Sequence, residues 1–415
     1  MNSIVDIVIV GGGAAGLGAA RRLANSGHAT LLLEASSRLG GRAWTREING
    51  LELDLGAGWL HSADRNALAD IATAAGNPID RTPPAWGIQF RDLGFTRTEQ
   101  MAARKTYDDW MRRLTTSPPA SDCAADALVP GEEWNTYVRA IAGFISGARV
   151  ERLSAADYAA YDEASTEANW RVPSGYGALI AQSFPTGIAL RLATPATKLE
   201  LGGDGVTITT ASGKIRARAV ILTVSTAVLA GDSLELPREF EPWRDAARLL
   251  PLGHTEKFFL EITGATPFEP DKQVLGDPRE PATGSYYLRP FGRPLVESFL
   301  SAEGTGMLDS GGPSEVFDYA LNQLGNLFGA EIRRALRPLT ASAWSRTQRI
   351  GGAYSYALPG HASARDHLAR PFENRIFFAG EATSRGDYST VHGAFDSGAR
   401  AANETLAALG AAPPL

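Results

Sequence analysis

The apolar positions at the start of the chain change period, and the change marks a strand, a turn and a helix in that order. Residues 7–10 are a β-branched run ending at Gly11; Ala19, Ala20 and Leu23 then recur at helical spacing until Gly27 breaks the pattern. A second apolar run, 29–33, ends in Glu34. Helical spacing dominates 98–165, in KTYDDWMRRL and EEWNTYVRAIAGF, and predicts a helical insertion. Short runs at 189–192, 206–210 and 219–224, separated by Gly203, Gly205 and Gly213, predict strands that rejoin the first unit. Beyond them the pattern predicts a strand at 257–262, a helix at 314–327, a strand at 375–378 and a long final helix at 393–409.

The first turn carries chemistry. Gly11, Gly13 and Gly16 fit G-x-G-x-x-G between strand and helix: the first turns the chain, the second admits a pyrophosphate, and the third lets helix meet strand. The helix start offers unpaired N–H groups and the positive end of a dipole to the phosphates. Glu34 stands about twenty residues past the turn, where a carboxylate accepts from ribose hydroxyls and disfavours a 2′-phosphate. A dinucleotide other than NADP is expected. Just beyond, RLGGRAWT supplies Arg38, Gly40, Gly41 and Arg42, arginine forks for phosphate or flavin oxygens around glycines that permit close backbone approach.

Composition narrows the class. With 415 residues, 44% of them hydrophobic, the chain is long enough for two domains with substantial cores. A net charge of −6 argues against a nucleic-acid scaffold. Its one cysteine, Cys123, cannot form an intramolecular disulfide, which suits a reducing compartment. The first apolar run enters the nucleotide turn directly, without a signal peptide, and no run is long enough to span a membrane. A soluble cytoplasmic protein is expected. No metal site is readable, because the histidines and the cysteine lack ligand spacing.

These and later blocks identify the chain as similar to the flavin-dependent amine oxidases, the family of monoamine oxidases, polyamine and spermine oxidases and lysine-specific histone demethylases. The likeness is carried by GGGAAGLGAARRL, LEASSRLGGRAWT and LDLGAGWLH, then VILTVSTAVL and PLGHTEKFFL, and finally GGAYSYALPG and FFAGEATSRGDYSTVHGAFDSGARAA. The motifs are most like those of polyamine oxidases.

The resemblance implies an α/β fold: a discontinuous, doubly wound, Rossmann-like FAD-binding domain (1–78, 188–250 and 345–415) and a substrate-binding domain of mixed β-sheet and helices (79–187 and 251–344). It implies FAD contacts from Gly11, Gly13, Ala14, Ala15 and Gly16, and from Glu34, Ala35, Arg38, Gly40, Gly41 and Arg42. Others come from Gly56, Ala57, Gly58 and Trp59, from Ala196 and Thr223, and from Gly380, Glu381, Thr390, Val391 and Ala394. Ala353 stands where monoamine oxidases carry the cysteine bonded to flavin, so noncovalent FAD is expected. Lys257 matches the family lysine that holds a water at flavin N5, and Trp344 the tryptophan beside it. Tyr354 matches one wall of the aromatic cage around the amine, with Tyr356 a lesser contributor. Thr390 replaces the opposing tyrosine, leaving a polar wall. His61 matches a histidine beside the substrate, and imidazole titrates in the range needed to position or deprotonate an amine.

The expected activity is oxidation of a primary or secondary amine, polyamine-like in preference, to an imine, with O2 reduced to H2O2. The expected partners are that small-molecule amine and O2, with neither nucleic acid nor membrane; oligomeric state is not readable. Three rivals stand beside this reading: a flavin desaturase or protoporphyrinogen-type oxidase, an amine dehydrogenase using another acceptor, and a non-enzymatic flavoprotein.

Overall fold

The computed structural model describes residues 4–203, 205–300, 302–304 and 306–410. In chain order the strands are β1 (Ile4–Val10), β2 (Thr30–Leu33), β3 (Thr45–Ile48), β4 (Leu51–Asp54), β5 (Ala189–Arg191), β6 (Ala196–Gly202) and β7 (Gly205–Thr210). They continue with β8 (Gly213–Leu222), β9 (Glu256–Ile262), β10 (Lys272–Leu275), β11 (Gly284–Leu288), β12 (Leu295–Leu300), β13 (Leu336–Ala341) and β14 (Ile376–Phe378). Contacts divide the chain into two compact units: Met1–Thr82, Ala160–Leu252 and Arg346–Leu415 form one, Pro83–Ala159 and Gly253–Ser345 the other.

The first unit is built on a sheet ordered β5-β2-β1-β8-β7-β6, with β14 also pairing β8. Strands β5, β2, β1, β8 and β14 run parallel, and β6-β7-β8 is an antiparallel meander. Along β1, Val8 and Val10 enter one core while Ile7 and Ile9 enter the other, so both faces are covered and a continuous apolar run is required. The Ile7 face packs on the first helix, Ala14–Leu23, and the last, Val391–Leu409. These helices meet backbone to backbone: a Cβ on Gly18 would lie 2.0 Å from Phe395 O, and one on Gly398 1.9 Å from Ala15 O.

β3 and β4 form a hairpin that the hydrophobic pattern leaves unassigned. Its two-residue turn, Asn49-Gly50, has positive φ at both positions (53° and 75°), the conformation that matches strand twist. The hairpin also corrects a boundary. The expected substrate segment 79–187 does not stay together, because 160–187 packs with the nucleotide unit. Asp54 at the end of β4 accepts from the N–H groups of Tyr176 (2.9 Å) and Gly177 (3.1 Å), and so caps the helix Tyr176–Gln182 from a distant part of the chain. Leu60 and Trp170 bridge the same two segments.

The second unit contains the sheet β10-β11-β12-β9-β13, antiparallel throughout, with one isolated parallel bridge between Gln89 and Gln273. Val316, Phe317, Ala320 and Leu324 of the helix Gly306–Phe328 share a core with Phe258, Leu260, Tyr286 and Val296 of this sheet. The helical insertion resolves into Arg97–Thr116, opened by a Thr96–Glu99 capping box, Asn135–Ser146, closed by a left-handed Gly147, and Ala155–Ala164. Among the described residues no helix is long and apolar enough to cross a membrane.

Gly398→Ala should lower the unfolding free energy by about 1–3 kcal/mol through overpacking against Ala15. A urea midpoint equal to that of the parent protein would show that the two helices separate without cost.

Candidate active site

At the first turn the chain leaves β1 with φ 112° at Gly11, and a Cβ on Gly16 would lie 1.9 Å from Gly11 O. Only glycine fits that approach. The first helix begins at Ala14 after Gly13, without a side-chain cap or an acid in its first turn. Its leading N–H groups, those of Ala14, Ala15 and Gly16, therefore have the orientation and electrostatics to take an anion. Gly41 lies against this turn, with its Cβ position 3.1 Å from the Gly13 Cα, and the Gly40 N–H donates to Gly12 O at 2.8 Å. The two glycine motifs thus form one cradle.

Glu34 closes its edge. Its Oε2 accepts from the Gly12 N–H at 2.6 Å, and its Oε1 from the N–H and hydroxyl of Ser36, both at 2.7 Å. A carboxylate offers about four lone-pair sites, so these three donors leave capacity for a ribose hydroxyl. Ala35 follows at the same strand end. Arg38 donates to Gly41 O (2.8 Å) and lies over the Trp44 ring; its guanidinium supports the glycine loop, and burial lowers its pKa against the pull of Glu34. Thr223 likewise braces the turn, its hydroxyl 2.9 Å and 3.0 Å from the carbonyls of Val10 and Gly11.

Arg42 donates to Ala353 O at 2.5 Å and to Glu381 Oε1 at 3.0 Å. Arg42, Thr223, Gly380 and Glu381 line one cleft. Glu381, in the turn the family likeness sets against the cofactor, is 4% exposed, and both its side-chain oxygens accept from protein donors. Oε1 receives Arg42 and the Ser355 N–H (3.2 Å), and Oε2 receives the Ser355 hydroxyl (2.7 Å) and the Ser389 N–H (2.9 Å). Burial alone would raise this carboxyl, but Arg42, Arg365, Ser355 and Ser389 together hold it below the usual glutamate range. Arg365, wholly buried, donates to the Ser355 hydroxyl at 2.9 Å and stacks 3.6 Å over the Tyr388 ring. Sequence reading missed Ser355 and Arg365. Ser355 lies inside a quoted block but carries no periodic signal, and an arginine in HASARDHLAR reads as solvated.

Thr390 differs from its expected role as an open polar wall. It is 6% exposed and serves as the N-cap of the last helix, its hydroxyl accepting from the Gly393 N–H (3.0 Å) and donating to Asp387 O (2.6 Å). Val391 and Ala394 follow in that first turn, and the Gly380 N–H is held by Ser397 Oγ on the same helix. Asp387 also pairs with His392 and Arg65, which hold its carboxyl well below its ordinary value although burial acts the other way. Gly56, Ala57, Gly58 and Trp59 follow the hairpin; the Ala57 N–H donates to Arg42 O, and Trp59 faces the Arg171 guanidinium. His61, in the same loop, has Nδ1 2.8 Å from Asn169 Oδ1, so Nδ1 is the donor there and Nε2 is the acceptor whenever the ring is neutral. Tyr354 is half-buried, Tyr356 buried, and Ala196 begins β6.

In the second unit, Lys257 lies on β9 opposite Phe299, and its Nζ is 2.6 Å from Glu297 Oε1, two residues along β12 on the same face. Its backbone exchanges hydrogen bonds with Ser342, in the turn that carries the buried Trp344. Glu256, on the opposite face, accepts from the Ser342 hydroxyl and the Ser345 N–H, and burial pushes its carboxyl up. Glu256 and Glu297 had no sequence signal, Glu256 opening β9 beside a lysine and Glu297 being the single acid of β12. Among the described residues no group of three or more His, Cys, Asp or Glu side chains could hold a metal ion.

A parallel sheet with a glycine-lined phosphate cradle and an acid at the next strand end defines a dinucleotide-binding enzyme unit. The chain belongs to the flavin containing amine oxidoreductase family, whose model matches residues 87–406, and residues 9–74 match an NAD(P)-binding Rossmann-like domain. It is a flavin-dependent amine oxidoreductase. Polyamine oxidase 4 of Oryza sativa subsp. japonica is 28% identical over 439 residues, covering 96% of this chain and 88% of that protein. Polyamine oxidase 2 of Arabidopsis thaliana is 25% identical over 435 residues, covering 96% and 87%. A solved structure of wild-type putrescine oxidase bound to putrescine shares the fold, with a TM-score of 0.75 at 19% identity, covering 98% of this chain and all of that one.

Because the folded carboxyl of Glu381 lies below its unfolded value, the stability it contributes is full above about pH 5 and is lost as pH falls through the folded pKa. Glu381→Gln should cost about 3 kcal/mol at neutral pH and flatten the acid limb of stability. Urea midpoints across pH that keep the parent protein's slope would remove Glu381 from that limb.

Proposed function

We propose that the chain holds FAD without a covalent bond and oxidises a polyamine-like primary or secondary amine to an imine, with dioxygen reduced to hydrogen peroxide. The observation that carries this reading is the joined cradle of Gly11, Gly16, Gly40 and Gly41, where added Cβ atoms would collide with backbone or with the Thr223 hydroxyl. A cofactor pyrophosphate fits the donors at the first helix start, and Glu34 fits a ribose. When bound, the flavin supplies the acceptor for two electrons from the amine's α-carbon.

The protein's share is positioning and proton control. Tyr354 forms an aromatic wall that orients the amine, and His61, held as the Nε2 acceptor, takes or steers the ammonium proton so that a lone pair is present. Lys257, paired with Glu297, takes its role from the likeness to the family lysine that holds a water at flavin N5. Ala353 offers no nucleophile for a flavin bond. The relatives named polyamine oxidase favour a polyamine over an arylalkylamine. We place the enzyme in the cytoplasm, acting on free amine and dioxygen without nucleic acid or membrane.

Acid precipitation should leave yellow flavin in the supernatant, and anaerobic spermidine should bleach the bound flavin, with peroxide forming on readmission of air. Colour retained in the pellet contradicts noncovalent binding. Bleaching without peroxide favours a dehydrogenase, and no bleaching by any amine removes the activity. Lys257→Met should retain FAD but slow turnover or reoxidation by more than about tenfold, and unchanged single-turnover rates would release Lys257 from the reaction.

A further inference from the structure

Tyr354 sits between two peptide groups that are each held by the buried ion network. Arg42 donates to Ala353 O, fixing the peptide plane before it, and Glu381 accepts from the Ser355 N–H, fixing the plane after it. Because each peptide unit is planar, holding both planes sets φ and ψ of the tyrosine and hence its Cα–Cβ direction. Ser355 is the common point of attachment. Its hydroxyl bonds Glu381 Oε2 (2.7 Å) and accepts from Arg365 (2.9 Å), while its carbonyl accepts from the Ser389 hydroxyl (3.0 Å). Ser355 is wholly buried, so these partners are not exchanged for water. Charge-assisted bonds of this kind are the strong ones, and a fixed ring loses less freedom when it meets a ligand.

We propose that Ser355, gripped by Glu381, Arg365 and Ser389, is a positioning residue that aims Tyr354 and so sets the affinity for the amine. This rests on Tyr354 being the amine-facing wall. The network then has a second duty: the residues that tie the cofactor cradle together also carry the specificity element, although none of Glu381, Arg365 and Ser389 needs to touch the amine. A purely structural serine would change stability alone, whereas a positioning serine changes amine affinity only while the tyrosine is present.

The test is a double-mutant cycle on the holoenzyme with Ser355→Ala, Tyr354→Leu and the pair. Two affinities are read: the spermidine dissociation constant from anaerobic bleaching, and calorimetric binding of hexamethonium, a bis-quaternary diamine with no lone pair to oxidise. Melting temperature and FAD affinity are followed alongside. Ser355→Ala should weaken both ligands at least about fivefold in the parent and add little on top of Tyr354→Leu, with FAD affinity unchanged. Equal weakening in both backgrounds, or none in the parent, overturns the positioning role while leaving the amine site standing. No effect of Tyr354→Leu alone overturns the amine-site reading and this one with it. Should Ser355→Ala not fold, Ser389→Ala, which removes only the donor to Ser355 O, must give the same non-additive loss or the proposal fails.

Discussion

Backbone lying directly on backbone is the constraint on which the nucleotide unit depends. At Gly16 against Gly11, Gly18 against Phe395 and Gly398 against Ala15, an added Cβ would lie about 2 Å from a carbonyl oxygen, a separation that no side chain tolerates. These contacts draw the first and last helices onto the same face of the sheet. One of those helices begins at the phosphate cradle, and the other at the Thr390 cap. Two helix starts, with their N–H groups and partial positive charge, are therefore placed by steric exclusion before any ionic contact is counted.

The second layer of order is ionic. A buried carboxylate is costly unless every lone pair is met, and Glu381 meets that condition with four protein donors and a second arginine stacked nearby. The arrangement joins segments far apart in sequence: the glycine loop through Arg42, the strand approach through Ser355, and the last helix through Ser389. Lys257 and Glu297 form a cross-strand ion pair between β9 and β12, with the carboxylate side chain 24% exposed. A fully satisfied hub such as that of Glu381 rigidifies the segments it joins.

Elements announced by an unbroken apolar run were legible. β2 and the last helix stand within two residues of the pattern, and β1 starts three residues ahead of it, at Ile4, since element ends are the least sharply encoded part. β8 was legible only in part, because its first half alternates Lys214, Arg216 and Arg218 with Ile215 and Ala217; the charges on the open face masked a strand that begins at Gly213. The helix Tyr176–Gln182, with the rest of the segment 160–187, was assigned to the wrong unit for another reason. Its cap is Asp54, remote in sequence, and no local signal encodes which unit a short helix joins. At the site, glycines and Glu34 were readable because their geometry is local, while Ser355, Arg365, Glu256 and Glu297 act through partners that only the fold supplies.

Thr390 shows how this changes an inference about substrate. As a side chain replacing an aromatic wall, it points to a longer or hydrogen-bonding amine. As the N-cap of a helix whose start must be fixed, a threonine is favoured there whatever amine is bound, since loss of such a cap costs about 1 kcal/mol. Its hydroxyl already donates to Asp387 O and accepts from the Gly393 N–H, which leaves it less free to bond anything else. Under the proposed function, selectivity then rests on side chains whose local backbone or ring is held. Tyr354 is half-buried between two pinned peptides, and His61 is half-buried with one ring nitrogen anchored to Asn169. In both, hydrogen bonds hold the backbone or one ring nitrogen, so a side chain fixed in this way would lose less freedom on meeting a ligand.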